Sequence, residues 1–299
     1  MKTKLALLTA LCAVTIDGVT SCGPSGNDEV YRAIIAGMTD TAERRESIDF
    51  TNPYFQSELL LVTRKNDNLS SEHVYTREEL STLLNGQVLV SQTGTKTYRM
   101  LDIFVSEFNA VKANSVDSFT TASLQVISGK AFAFTAEEPV ALSYAYRNPD
   151  DLMVLHIQED ILGANDYASL SVSIGVKKGQ DEFVNKVNGA LAEISQDERD
   201  ELMDKMVQFN LSNAEENDSV RTFLEGDNGT IIVGLECDYP SFNWTETVQN
   251  NYTYPIVGKS AEFAEGYDIE IAYRIAKSLN MTLEVEKMGW DSLLAWVNK

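Results

Sequence analysis

Apolar runs of strand length alternate with amphipathic stretches of helical period along most of this chain, and that alternation restricts it to sheets with helices on their faces. The runs are AIIAG (33–37), QVLVSQ (87–92), AFAFTA (131–136), SVSIGV (171–176), TIIVGLE (230–236) and TLEVEK (282–287). Gly266 to Asn280 carries Ile271, Ile275 and Leu279 at a spacing of four, and Phe183 to Ile194 carries Val184, Val187, Leu191 and Ile194 on one face. Such stripes are core faces. The pattern predicts an α/β fold with parallel sheets, and 299 residues suffice for two core-bearing lobes. No internal repeat is evident, and the polar stretch 211–230 reads as a linker.

The first residues combine a basic start, an apolar run from Leu5 to Ile16 and small residues around Cys22, which is the pattern of an export signal. The run is too short to span a bilayer as a helix. Val19-Thr20-Ser21-Cys22 is similar to a bacterial lipobox, which predicts lipidation at Cys22, a signal over 1–22 and a spacer over 23–29. Asp17 sits awkwardly close to the apolar run, so plain secretion with cleavage nearby stays open. Either way the expected location is the extracellular face of the cell membrane or the periplasm. Lys and Arg number 24 against 45 Asp and Glu, a net charge of −21 that repels nucleic acid and anionic lipid headgroups. With Cys12 removed and Cys22 lipidated, Cys237 is the remaining thiol and no internal disulfide is expected. His73 and His156 lack ligand-spaced partners, so neither a metal site nor a cofactor is expected.

The segment AIIAGMTDTAERRESIDFTNPYF, Ala33 to Phe55, resembles the signature of the family-3 solute-binding proteins that serve polar amino-acid ABC importers. Further matches are VSQTGTKTY (90–98), AFAFTAEEPVALSY (131–144), SIGVKKG (173–179), IIVGLECDYPSFNW (231–244), EGYDIEIAYRIAKSLN (265–280) and MGWDSLL (288–294). The resemblance implies a two-lobed, type II periplasmic-binding-protein-like fold with a hinge of two strands, near Leu59 to Thr63 and Ser171 to Val176. Lobe 1 is expected over 30–62 and 172–299, and lobe 2 over 63–171. The order of the pieces departs from the family: the IIVGLE strand usually comes first, and the helix after MGWDSLL usually runs into AIIAGMTDT. The chain therefore resembles a circular permutant with lobe 1 rebuilt from both ends. A piece of a tandem array is the rival account.

A free amino acid presents a carboxylate, an ammonium and a side chain, and the resemblance assigns partners to each. Arg44 aligns with the arginine that clamps the carboxylate, where a guanidinium fork suits two oxygens. Thr39, just before the short helix carrying Arg44, and the turn Gly94-Thr95-Lys96 would add donors. Gly-Thr-Lys-Thr has the wrong order for a P-loop, so nucleotide binding is rejected. Gly37 would offer its carbonyl to the ammonium. Glu137 stands where relatives usually carry Asp before Glu-Pro; one extra methylene moves the carboxylate by roughly 1.3 Å. The alternative role for Glu137 is capping the helix that begins at Pro139. Tyr239 and Trp290 match aromatic walls, and Phe242 and Trp244 are expected as wall or lobe packing. Glu236 ends its strand at the position that is acidic in relatives binding basic amino acids, with Asp238 a competitor for that alignment.

These implications together give a monomeric, non-enzymatic receptor that captures arginine, lysine or ornithine, with glutamine or another polar amino acid as the alternative, and hands it to an ABC permease. A cyclohexadienyl dehydratase-like enzyme on the same fold, kept open by the Asp-to-Glu departure at Glu137, and a ligand-sensing domain are the alternatives.

Overall fold

The computed structural model describes residues 29–163, 170–209 and 220–299. The expected signal over 1–22, the lipidation site Cys22 and the spacer up to residue 28 lie outside the described residues.

The first sheet contains β1 (Val30–Ile34), β2 (Ile48–Gln56), β9 (Ser171–Lys177), β10 (Thr230–Leu235) and β15 (Thr282–Lys287), in the order β15-β10-β1-β9-β2. β1 and β15 flank β10 in parallel, with Ala33 opposite Val233 and Val285 beyond it, while β9 runs antiparallel to β1 and β2. The strands buried here read as continuous apolar runs because both faces are covered. On this sheet pack α5 (Asp181–Ala192), α7 (Tyr267–Ser278), against which α6 (Gln196–Phe209) lies, and α8 (Leu293–Val297). The last of these rests on β1 and β10. Gly234 makes that possible: a Cβ there would lie 2.6 Å from Cζ3 of Trp296. Trp296 Nε1 also donates to Glu286 at 2.9 Å, and Asn298 Nδ2 donates to the carbonyl of Ser47 at 3.3 Å. Residues from the two ends of the chain thus share one sheet and one core.

The second sheet follows the order β4-β8-β3-β7-β5-β6, built from β3 (Leu59–Arg64), β4 (Val74–Tyr75), β5 (Val88–Val90), β6 (Val111–Lys112), β7 (Ala133–Glu137) and β8 (Leu152–Ile157). Around it lie α1 (Arg77–Leu83), α2 (Lys96–Phe108), α3 (Phe119–Ile127) and α4 (Glu138–Arg147). A small antiparallel sheet, β11 (Asp238–Tyr239), β12 (Asn243–Glu246), β14 (Phe263–Glu265) and β13 (Tyr254–Pro255) in spatial order, extends the first lobe.

Two expectations need correction. The boundary drawn at 62/63 falls inside β3, which lies wholly in the second sheet between β8 and β7. Neither β3 nor β9 is shared between sheets. The chain passes from one to the other at Ser57 and Glu58, where Ser57 N donates to the carbonyl of Leu170 at 3.2 Å. The polar stretch 211–230 is also not all linker. Arg221 pairs with the buried carboxylate of Glu270, and Leu224 donates its N–H to Tyr254 at 2.7 Å while its carbonyl accepts from Leu283 at 3.0 Å. Composition hides this, since one buried ion pair and two backbone bonds hold a segment whose residues are mostly polar.

Candidate functional site

Between the lobes the chain closes on a small enclosure walled by Gly37, Thr39, Arg44, Gln92, Thr95, Lys96, Glu137, Glu236, Tyr239 and Trp290. It holds about 10 Å³, room for roughly one water molecule. A wider groove of about 1050 Å³ adjoins it, sharing Glu236 and Trp290 as walls. The nine residues singled out for ligand contact are therefore brought together, and Gln92 joins them.

The site is assembled from strand ends and tight turns, the positions where side chains of an α/β sheet reach beyond the strands. Arg44 sits on a three-residue 3-10 turn, Arg44–Glu46, immediately before β2 and is buried. Its Nη1 donates to the carbonyl of Thr39 at 2.6 Å and its Nη2 to the carbonyl of Gly94 across the cleft at 2.9 Å. Burial lowers its pKa to about 10, with Arg99 adding to the fall and Glu137 opposing it, so it stays charged at neutral pH. Ahead of the turn, the Thr41 hydroxyl accepts from Arg44 N at 3.2 Å. Thr39 instead bridges to Val172 through its backbone and hydrogen-bonds Glu137 through its side chain.

Across the cleft, Thr95 caps α2 by accepting from Tyr98 N at 3.1 Å, and donates to the carbonyl of Gln92 at 2.7 Å. Lys96 opens α2 and lines the enclosure. Glu137 ends β7 as the residue before α4 and makes no side-chain capping bond, so its carboxylate is turned to the cleft rather than to its own helix. It accepts a short hydrogen bond from the Tyr239 hydroxyl. Burial raises its pKa, and the bonds from Tyr239 and Thr39 and the charge of Arg44 pull it back.

Glu236 is served less well. It is partly buried, its Oε2 accepts from Gln92 Nε2 at 3.1 Å, and among the described residues its solvent-shielded Oε1 has no hydrogen-bond partner. Burial pushes its pKa up to about 7; the Gln92 bond opposes this, and Asp238, Asp291 and Asp268 add to the rise. Asp238, the competitor for this position, is exposed at its strand and meets Thr120 at 3.3 Å.

The aromatic walls are arranged differently from a free sandwich. Tyr239 is buried and stacks on Phe119, centroids 5.4 Å apart, and on Phe242 at 5.3 Å, and it packs so closely on Gly37 that a Cβ there would lie 2.5 Å from Cε1. Gly37 also has φ of +59°, a conformation that glycine adopts freely. Trp290 lies under the Arg44 guanidinium, 5.3 Å from ring centroid to Cζ. Phe242 and Trp244 are both buried in the core, and Trp244 is also a wall of the outer groove.

Sequence reasoning missed Gln92, Phe119 and a supporting layer centred on Asp268. That carboxylate accepts from the Tyr54 hydroxyl at 2.6 Å and from Asn243 Nδ2 at 2.8 Å, while Asn243 Oδ1 accepts from Cys237 N at 2.8 Å. This chain fixes the turn that carries Glu236 and Tyr239. A signal was present: Asp268 precedes Ile271 and Ile275 on the buried stripe of α7, where an acid is expensive unless partnered.

The sequence profile of the bacterial extracellular solute-binding proteins, family 3, matches residues 19–209. The chain belongs to this family. Relatives of this family-3 protein include ABC transporter arginine-binding protein 1 of Escherichia coli, 24% identical over 190 residues, covering 64% of this chain and 71% of the relative. The glutamine-binding protein GlnH of Bacillus subtilis is 23% identical over 177 residues, covering 58% of this chain and 57% of GlnH. Among solved structures, the amino acid ABC transporter substrate-binding protein AbpA of Streptococcus pneumoniae, bound to L-arginine, is 20% identical with a TM-score of 0.49 over 60% of this chain and 70% of that one. Among the described residues of the family-3 protein, no helix is long and apolar enough to cross a membrane, and no cluster of His, Cys, Asp and Glu has the makings of a metal site.

Proposed function

We propose that this protein captures a free basic amino acid between its lobes and delivers it to an ABC importer. The observation that carries the basic ligand is Glu236: a carboxylate at the wall of a closed cleft, with one shielded oxygen unpaired among the described residues and acidic neighbours around it. A buried carboxylate in that state is stabilised by an incoming cation. The names of relatives include both arginine and glutamine binders, so they support an amino acid without choosing among them.

In this reading Arg44 takes the ligand carboxylate, helped by Thr39 and the Gly94-Thr95-Lys96 turn. Glu137 takes the ammonium beside Gly37, and Tyr239 and Trp290 wall the side chain. These groups now satisfy one another across the cleft, and the enclosure is far smaller than an amino acid, so binding requires the lobes to part. The ligand then replaces bonds such as Arg44 to Gly94, and bridging both lobes it favours closure. Among the described residues, the moving bodies in this proposal are 30–57 with 171–209 and 220–299, and 58–163.

Circular permutation is part of the same proposal. The family profile ends at residue 209, and residues from Thr230 onward add β10 and β15 to the sheet that β1, β2 and β9 begin. Anchoring through Cys22 and a monomeric state complete it.

A thermal-shift screen of the twenty amino acids, ornithine and citrulline tests the function, since a ligand that binds only the folded form raises its stability. A shift with basic amino acids is expected. Prephenate and arogenate belong in the same screen, and their turnover would replace transport with catalysis.

A further inference from the structure

We propose that Gln92 is a specificity-determining residue that makes the side-chain end of the cleft select a primary ammonium, as in lysine or ornithine, over a guanidinium. The inference rests on the basic-ligand reading above. Gln92 is 1% exposed, and its Nε2 donates both to Glu236 Oε2 at 3.1 Å and to the carbonyl of Asp117 at 3.2 Å. Two acceptors on one side fix the amide with its NH₂ toward them, because the flipped form would set a carbonyl against a carboxylate. The second bond ties the amide to its own lobe. Glu236 therefore reaches the closed cleft with one acceptor site of Oε2 occupied by a fixed donor and with Oε1 without a partner among the described residues.

A guanidinium gains over an ammonium in two ways: paired N–H bonds to both oxygens of a carboxylate, and stacking on aromatic rings. Gln92 weakens the first, because its NH₂ occupies one acceptor site of Oε2 and competes there with a second guanidinium N–H. The second is partly used within the protein, since Tyr239 stacks on Phe119 and Phe242, and one face of Trp290 lies under Arg44. A compact ammonium needs one oxygen and no ring face. It also keeps part of its hydration more easily here, because Glu236 and Trp290 wall the wide outer groove as well as the enclosure.

The test is calorimetry of lysine, ornithine, arginine and glutamine on the full protein and on Gln92→Leu and Gln92→Met, with thermal unfolding as the folding control. Wild type is expected to bind lysine or ornithine about tenfold or more tighter than arginine, and both variants are expected to lose most of that ratio as Oε2 becomes available. Tighter arginine binding by wild type overturns the proposal without recourse to any variant. An unchanged ratio in a folded variant removes the role of Gln92. Arginine preference that is lost in Glu236→Gln leaves the basic-ligand reading standing and removes this inference alone, whereas glutamine binding with no cationic amino acid bound removes both.

Discussion

The two carboxylates that line the enclosure, buried Glu137 and partly buried Glu236, differ in how the protein treats them. Glu137 has a Tyr239 hydroxyl, a Thr39 side chain and the charge of Arg44 to offset its burial. Glu236 has one amide bond from Gln92 and acidic neighbours. Desolvating a carboxylate without partners costs several times what a satisfied one costs. In the proposed reading the end around Glu137 grips any amino acid, and the end around Glu236 chooses one class of side chain.

Arg44→Ala should have the largest effect, because it removes the cation shared by every ligand. A carboxylate left without its partner costs about 2 to 5 kcal/mol, so calorimetry should show binding of all amino acids lost while circular dichroism stays native. Affinity retained within a few-fold would place the carboxylate elsewhere. Glu236→Gln separates the two ends: lysine, ornithine and arginine should lose about 1.5 to 3 kcal/mol, with glutamine nearly unaffected. Equal losses for cationic and neutral ligands would erase the distinction drawn above.

Stability against pH sharpens it further. Because folding raises the pKa of Glu236 from 4.5 to about 7, the folded protein holds its proton more tightly than the unfolded chain. The stabilisation is present in full below about pH 4.5 and declines by about 1.4 kcal/mol per unit as pH rises toward 7. Glu236→Gln lacks this slope, so without ligand it should be about 1 to 3 kcal/mol more stable than wild type at pH 8. The two proteins should converge near pH 4.5 in urea unfolding. Glu265, raised to about 7, and Asp268, raised to about 6, add similar slopes to both proteins and cancel in the difference. Lysine affinity of the wild type should likewise rise from pH 5.5 to 8, since the cation needs the ionised acid. A parallel rise for glutamine would assign the titration to Glu137.

The smallest effect is expected from Tyr239→Phe, which removes one hydrogen bond from Glu137 and keeps the ring stack. About 0.5 to 1.5 kcal/mol of stability should be lost at pH 7, together with an upward movement of the Glu137 titration followed by carboxyl-labelled NMR. No change in that titration would mean that Tyr239 does not serve the carboxylate.

The sequence by itself determined the alternation of strands and helices, down to β7, β9, β10 and β15 in place, because burial on both faces writes itself as an apolar run and burial on one face as a stripe. The resemblance to the family pointed to the nine proposed contact residues, which line one enclosure. Tertiary structure alone decided their pairings. Nothing local ties Gln92 to Glu236, 144 positions away, or Tyr239 to Glu137, 102 away. The aromatic character of Tyr239 and Trp290 was plain, yet their stacking on Phe119, Phe242 and Arg44 depends on which elements meet when the lobes close. The same holds for the polar stretch around Arg221, whose charge finds a buried partner on α7. Periodicity records which face of an element is buried; it carries no record of what that face is buried against.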